Sequence, residues 1–262
     1  MGQIPIKNAA AIAKMRVAGA AASRVLQGLL KEVAVGVTTG QIDQKCAELI
    51  AKEGGKSAFL GYRGFPGQAC ISVNEEIVHG IGGPRVLKEG DVISIDVGIV
   101  KDGWIGDNAS TVAVGVIPDE TKRLLMATEE SLYAAIEQVK AGVRLGDVCG
   151  AVEAHIKPFG FGVVREFVGH GVGKRLHEEP QVPNYRPQGR TPKLKAGMIL
   201  AIEPMVNQGT AKVKMLDDGW TVISKDSSPS AHFEHTVLVT DDGAEILTDR
   251  PRVATAELLG LE

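Results

Sequence analysis

Asp91-Val-Ile-Ser-Ile-Asp-Val-Gly-Ile-Val100, followed by Lys101-Asp-Gly-Trp104, is the stretch from which the fold can be worked out. It alternates with period two, as a half-buried strand does. Ile93, Ile95, Val97 and Ile99 fall on one face, and Val92, Ser94, Asp96 and Gly98 on the other. Asp102-Gly103 is a strong two-residue hairpin signal. With those two residues as the turn, the numbers of each cross-strand pair sum to 205, so Asp96 opposes Ala109 and Asp107 opposes Gly98. Asp96 and Asp107 are then diagonal neighbours on one face, about 7–8 Å apart at the backbone. Their carboxylates can converge, with Gly98 and Ala109 leaving room between them. An edge ribbon carrying two solvated acids is the competing reading of the hairpin taken alone.

The pattern recurs downstream. Lys88-Glu-Gly-Asp-Val-Ile-Ser-Ile-Asp96 aligns with Lys195-Ala-Gly-Met-Ile-Leu-Ala-Ile-Glu203 at an offset of 107 residues, acid upon acid. Gly36-Val-Thr-Thr-Gly-Gln-Ile aligns with Gly142-Val-Arg-Leu-Gly-Asp-Val at an offset of 106. The offset is far too long for a solenoid repeat. It suggests one α/β domain over residues 1–262, built by duplication from halves at about 8–114 and 115–240, with a site between them.

Asp96, Asp107, His170, Glu203 and Glu234 form a candidate ligand set for two divalent ions. Four of them lie in or beside apolar strand-like runs, where a charge is costly unless compensated. At 262 residues and 44% apolar, the chain can build a substantial core. The formal charge of −3, with scattered Lys and Arg, gives no nucleic-acid or membrane footprint. No run of 18 apolar residues suggests a membrane span, and the first residues lack the order of a signal peptide. Cys46, Cys70 and Cys149 form neither a zinc pattern nor an evident disulfide framework, which suggests the cytoplasm.

The coarse order is α, α, β-rich, repeated. Asn8 can cap a helix running toward Val35, and Thr38 to Gln41 resembles a capping box. Strands are expected around Ala69–Val78, Asp91–Val100 and Trp104–Val114. Asp119 can cap a helix to about Ala141, and another covers Leu145–Ile156. Strands return at Val163–Val168, Gly197–Val206, Trp220–Ser224 and His232–Thr240. Four prolines mark a surface loop between His177 and Lys195. Rival motifs fail: Gly169-His-Gly-Val-Gly-Lys174 lacks the first glycine and the Ser/Thr of a phosphate loop. His177-Glu-Glu-Pro-Gln181 lacks the second histidine of a zincin, and no G-x-S-x-G serine motif is present.

Several stretches together resemble the type I methionine aminopeptidases over nearly the whole chain. They are Cys70-Ile-Ser-Val-Asn-Glu-Glu-Ile-Val-His-Gly80, Gly106-Asp107, Gly169-His-Gly-Val-Gly173, Leu176-His-Glu-Glu-Pro180, Ile202-Glu-Pro204 and Phe233-Glu-His-Thr236. The resemblance implies a pita-bread α/β (α+β) fold, two pseudo-symmetric halves around a central antiparallel sheet. It implies removal of the initiator methionine from nascent chains and peptides, near the ribosome, when the second residue is small. Met1-Gly2 of this chain meets that rule.

Asp107 and Glu234 are then expected to bridge two divalent ions (Co, Mn, Fe or Zn). Asp96 would chelate one, and His170 with Glu203 the other. The implied catalytic groups are His79, His177 and Glu203, the last as proton shuttle; both histidines would also bind substrate. Phe59, Tyr62, Phe65, Cys70 and Trp220 would line the methionine pocket. A monovalent cation near Asn74 and Ser230, and a monomeric state, are further implications. The 33 positions from His170 to Glu203 favour type I over type II. An X-Pro hydrolase or a non-catalytic module of the same fold are the alternatives. Arg63 stands where many members carry His, Ile105 where His is frequent, Gly98 where Thr is common, and Asn108-Ala-Ser110 where Thr-Ser is usual.

Overall fold

A computed structural model describes residues 3–261; Met1, Gly2 and Glu262 lie outside it, and with them the Met1-Gly2 expectation. The helices are α1 (Ala9–Leu30), α2 (Thr39–Lys52), α3 (Asp119–Ile136), α4 (Leu145–Ile156) and a short α5 (Ala256–Leu259). The strands are β1 (Lys56–Ser57), β2 (Cys70–Val73), β3 (Glu76–Val78), β4 (Val92–Lys101), β5 (Trp104–Ala113), β6 (Gly162–Val163), β7 (Gly169–Gly171) and β8 (Glu178–Val182). They continue with β9 (Ile199–Ile202), β10 (Met205–Asn207), β11 (Val213–Met215), β12 (Val222–Ser224), β13 (Ser230–His232), β14 (His235–Val239) and β15 (Ala244–Ile246).

The β4–β5 hairpin has the register that the Asp102-Gly103 turn dictates. Asp96 faces Ala109, Gly98 faces Asp107, and Asp102 and Gly103 both have positive φ. Ile93, Ile95, Val97 and Ile99 are fully buried against Ala21, Ala22, Val25 and Leu26 of α1 and Ile42 and Cys46 of α2. Gly106 permits that approach, since a Cβ there would lie 2.4 Å from the Ala18 carbonyl oxygen. Asn8 caps α1 through the Ala11 N–H, and Thr38 with Gln41 closes the capping box of α2.

The second helix pair, α3 and α4, packs its apolar residues with Leu200, Ile202 and Val237 of β9 and β14. Matching hydrogen bonds recur in the two segments. The Gly36 N–H donates to the Leu87 carbonyl as Gly142 does to Leu194, both at 2.9 Å. Gly90 donates to Val114 as Gly197 does to Val239. All four glycines have φ of +87° to +91°, a left-handed conformation that favours glycine.

Some boundaries differ from expectation. Helix α1 ends at Leu30, not near Val35. Pro118 occupies the N-cap of α3, and Asp119 is the first helical residue, its carboxylate accepting from Lys122 instead. The Ala69–Val78 run divides at Asn74, whose φ is +58°. Of the Val163–Val168 run only Val163 is in a strand, β6, which begins one residue earlier at Gly162. The expected loop after His177 contains β8 at the edge of the sheet ordered β15-β14-β9-β7-β8. An edge strand can carry Pro180 because the missing N–H faces outward. The Gly197–Val206 and His232–Thr240 runs are each broken in two, at Glu203-Pro204 and Phe233-Glu234. At each break the chain passes between the five-stranded sheet and the sheet ordered β13-β10-β6.

Candidate metal centre and substrate cavity

The two breaks put Glu203 and Glu234 at the seam between sheets, where ladder partners run out. Their carbonyls are met by side chains from elsewhere: Asn184 Nδ2 donates to Glu203 at 3.0 Å, and Arg250 Nη1 to Glu234 at 3.1 Å. The Glu234 N–H donates to Ala109 at 2.9 Å, tying the seam to β5. Thr236 Oγ1 donates to the Asp107 carbonyl at 2.7 Å and accepts the Asp107 N–H at 3.2 Å. Asp107 and Glu234 are thus held together by backbone contacts independent of their carboxylates.

Asp107, His170 and Glu234 each bring a ligand atom within 4.8 Å of the others, and all three are buried. His170 Nε2 lies 3.5 Å from Glu203 Oε1 and 3.8 Å from Asp107 Oδ2. Its Nδ1 is 2.9 Å from the Gly171 carbonyl, which only accepts. That contact puts the proton on Nδ1 and leaves Nε2 with a free lone pair, the tautomer a metal needs. Asp96 Oδ1, Asp107 Oδ1 and Glu234 Oε1 are buried without hydrogen-bond partners among the described residues.

Burial pushes the Asp96, Glu203 and Glu234 carboxyls well above their ordinary range, and mutual repulsion adds to it. Asp107 is raised to about 7, again by burial. Burial drives His170 the other way, to about 3. Orphaned oxygens, converging carboxylates and a neutral imidazole fit a hard divalent cation well.

These groups floor a cavity of about 210 Å³. Phe59, Tyr62, Phe65, Cys70 and Trp220 line it together with His79 and His177 and the five candidate ligands. Phe65 meets Trp220 edge-on, with ring centroids 5.2 Å apart. His79 follows β3 with φ +60° and lies edge-on to Phe167 at 5.5 Å. Its imidazole is lowered by burial to about 4. His177 stands 4.3 Å from the His170 ring, and its Nδ1 is 2.8 Å from the Tyr62 hydroxyl.

Comparison with known proteins accords with this geometry. The model of metallopeptidase family M24 matches residues 13–241. The chain is an M24 metallopeptidase. It is 50% identical over 234 residues to methionine aminopeptidase 1 of Bacillus subtilis, covering 89% of this chain and 94% of that one. The methionine aminopeptidase structure from Thermotoga maritima superposes with a TM-score of 0.92 at 45% identity, covering 95% of this chain and all of that one. Prolidase from Pyrococcus furiosus, 24% identical, shares the fold with a TM-score of 0.77 over 94% of this chain and 66% of its own. The antiparallel sheets and paired helices are therefore the pita-bread fold.

Several residues of this M24 chain escaped sequence reading. His232 is buried, its Nε2 has no hydrogen-bond partner among the described residues, and it lies 3.6 Å from Glu203 Oε2. Its only sequence signal was the His-x-Glu spacing. Asn184 and Arg250 reach the seam from irregular segments with no local pattern. Val78, Phe167, Leu176 and Met205 add to the apolar wall. Gly98, expected to leave room for ions, instead lies against the Phe59 ring: a Cβ there would meet Phe59 Cε1 at 2.5 Å. Ile105 is buried outside the cavity lining, its N–H donating to Gly173.

Proposed function

We propose that this protein removes the N-terminal methionine from peptides and nascent chains whose second residue is small. The observation that carries the reading is the joining of two chemistries in one cavity. Its floor gathers four carboxylates and a neutral histidine, and its walls are apolar and aromatic. High identity to proteins named methionine aminopeptidase supports the same substrate.

In this reading Asp96, Asp107, His170, Glu203 and Glu234 would hold the divalent metal. Such a metal supplies Lewis acidity and a hydroxide at neutral pH. Glu203 would take the proton from the attacking water and return it to the leaving amine. His79 and His177 donate hydrogen bonds to the carbonyl oxygen as it gains charge. Phe59, Tyr62, Phe65, Cys70 and Trp220 enclose the thioether side chain. The backbone bonds shared by the two segments support one domain that arose by duplication. A monovalent cation near Asn74 and Ser230, a cytoplasmic monomer and action on chains leaving the ribosome complete the proposal.

Elemental analysis paired with hydrolysis of Met-Ala-Ser and Ala-Pro peptides tests it. Bound divalent metal with cleavage of the methionyl peptide alone is expected. Compared at metal concentrations that keep the site loaded, as checked by elemental analysis, Glu203→Gln should lose about 10²- to 10⁴-fold in kcat. Absence of metal and of turnover after Mn²⁺ or Co²⁺ addition would make the chain a non-catalytic module.

A further inference from the structure

Of the side chains that line the cavity, Arg63 alone carries a fixed positive charge. It sits in a tight turn bounded by Gly61 and Gly64, with φ +51° in a region non-glycine residues seldom occupy. Its guanidinium carbon is 5.5 Å from the Tyr62 ring centroid, and the side chain is exposed. Among the described residues no carboxylate pairs with it. Tyr62 in turn contacts His177, so the three side chains form one rim above the acidic floor. Arg63 also acts on His177 at a distance, adding to the effect of burial in making that imidazole less basic.

The charge balance makes this cation conspicuous. Two divalent ions would cancel the four negative charges of Asp96, Asp107, Glu203 and Glu234. Arg63 would then be the one lining side chain whose charge has no partner within the cavity. An arginine keeps that charge at every physiological pH, unlike a histidine at the same place.

We propose that Arg63 forms a subsite for a carboxylate carried by the peptide beyond the scissile bond. The inference rests on the aminopeptidase reading. With the substrate amine at the floor and methionine in the apolar walls, the remaining chain must leave past the rim. An extended chain advances about 3.3 Å per residue. The small second residue offers little to hold, so the third residue is the first whose side chain can reach a rim cation. A glutamate or aspartate there, or the C-terminal carboxylate of a tripeptide, presents the same planar group to the guanidinium fork.

The test uses the metal-loaded enzyme and amidated peptides Met-Ala-Glu-Gly, Met-Ala-Gln-Gly and Met-Ala-Lys-Gly, with Met-Ala-Ser as free acid and amide. The Glu peptide should have a KM about two- to fivefold below the Gln peptide at low salt, the range of an exposed ion pair. The advantage should shrink in 0.5 M salt. The free-acid form of Met-Ala-Ser should show the same advantage over its amide if the terminal carboxylate also binds. Arg63→Gln should bring the Glu-to-Gln ratio to one, and Arg63→Glu should favour the Lys peptide. Equal KM values for the Glu and Gln peptides in the unaltered enzyme, with both turned over, would overturn the Arg63 subsite alone. Failure to cleave any of these peptides would refute the aminopeptidase reading and the subsite with it.

Discussion

Gly98 lies directly against Phe59: a Cβ on Gly98 would come within 2.5 Å of Phe59 Cε1 and 2.9 Å of Cζ. The ring is buried at the cavity wall, so this contact joins the ligand-bearing hairpin to the proposed methionine pocket. Gly98→Ala must displace the ring, and overpacking of this kind costs about 1–3 kcal/mol. It should also raise KM for methionyl peptides by moving the pocket wall. In a Phe59→Ala background the same substitution should cost much less, because the colliding ring is gone. Denaturant midpoints and KM values for the four proteins of the cycle measure the coupling. Strictly additive effects would show that the ring does not constrain Gly98.

Metal uptake should release protons. In the metal-free protein Asp107 titrates near 7, and Asp96, Glu203 and Glu234 are raised by burial, so part of the ligand set is protonated at pH 6.5. A cation binds the carboxylate forms and displaces those protons. His170, lowered to about 3, is already neutral and contributes none. Apparent metal affinity should therefore fall as pH drops below about 7. Titration calorimetry in buffers of different ionisation enthalpy should show net proton release at pH 6.5; none would contradict the assignment. A carboxyl raised by folding is disfavoured once ionised, so the stability that Asp107 contributes to the metal-free protein is lost as pH rises from its ordinary range through about 7. The buried histidines, lowered to about 3 or 4, oppose this loss wherever unfolded imidazoles still bind protons, below about pH 7.

The hairpin could be read to the residue because two independent signals agree there, period-two alternation and an Asp-Gly turn. Asp96 and Asp107 followed from that register. Glu203 and Glu234 were legible as acids in apolar runs, but not as breaks between sheets. Hydropathy continues across both breaks, since the residues on either side, such as Ile202 and Met205, are buried in both sheets. β8 was missed because Glu178-Glu-Pro-Gln-Val182 has no apolar alternation and relies on pairing with β7. Phe59 and Gly98 are far apart in sequence, so their contact leaves no local pattern. The same holds for Asn184, His232 and Arg250, single polar residues whose role depends on what the fold brings beside them.

Arg250 carries the last prediction. It is 7% exposed and joins the two segments that carry Asp107 and Glu234. Nη2 donates to the Ala109 carbonyl, Nη1 to the Glu234 carbonyl at 3.1 Å, and Nε to Ser110 Oγ at 3.0 Å. Nη1 also lies 3.0 Å from His235 Nδ1, which must then accept, so the His235 proton sits on Nε2, facing the Tyr133 hydroxyl at 3.2 Å. Arg250→Ala strips the buried Glu234 carbonyl of its donor, while the Ala109 carbonyl keeps the Glu234 N–H, and should destabilise the metal-free protein by about 1–3 kcal/mol, the cost of one orphaned group. Arg250→Lys keeps the charge without the planar fork and should fold, with a smaller loss. Because residues that orient ligands typically change metal affinity 10- to 100-fold, the folded Lys variant should bind Mn²⁺ about that much more weakly, as read by titration with electron paramagnetic resonance. Unchanged Mn²⁺ affinity in a stably folded Arg250→Lys protein would limit the guanidinium to a structural role, because the carboxylates would then keep their positions without it.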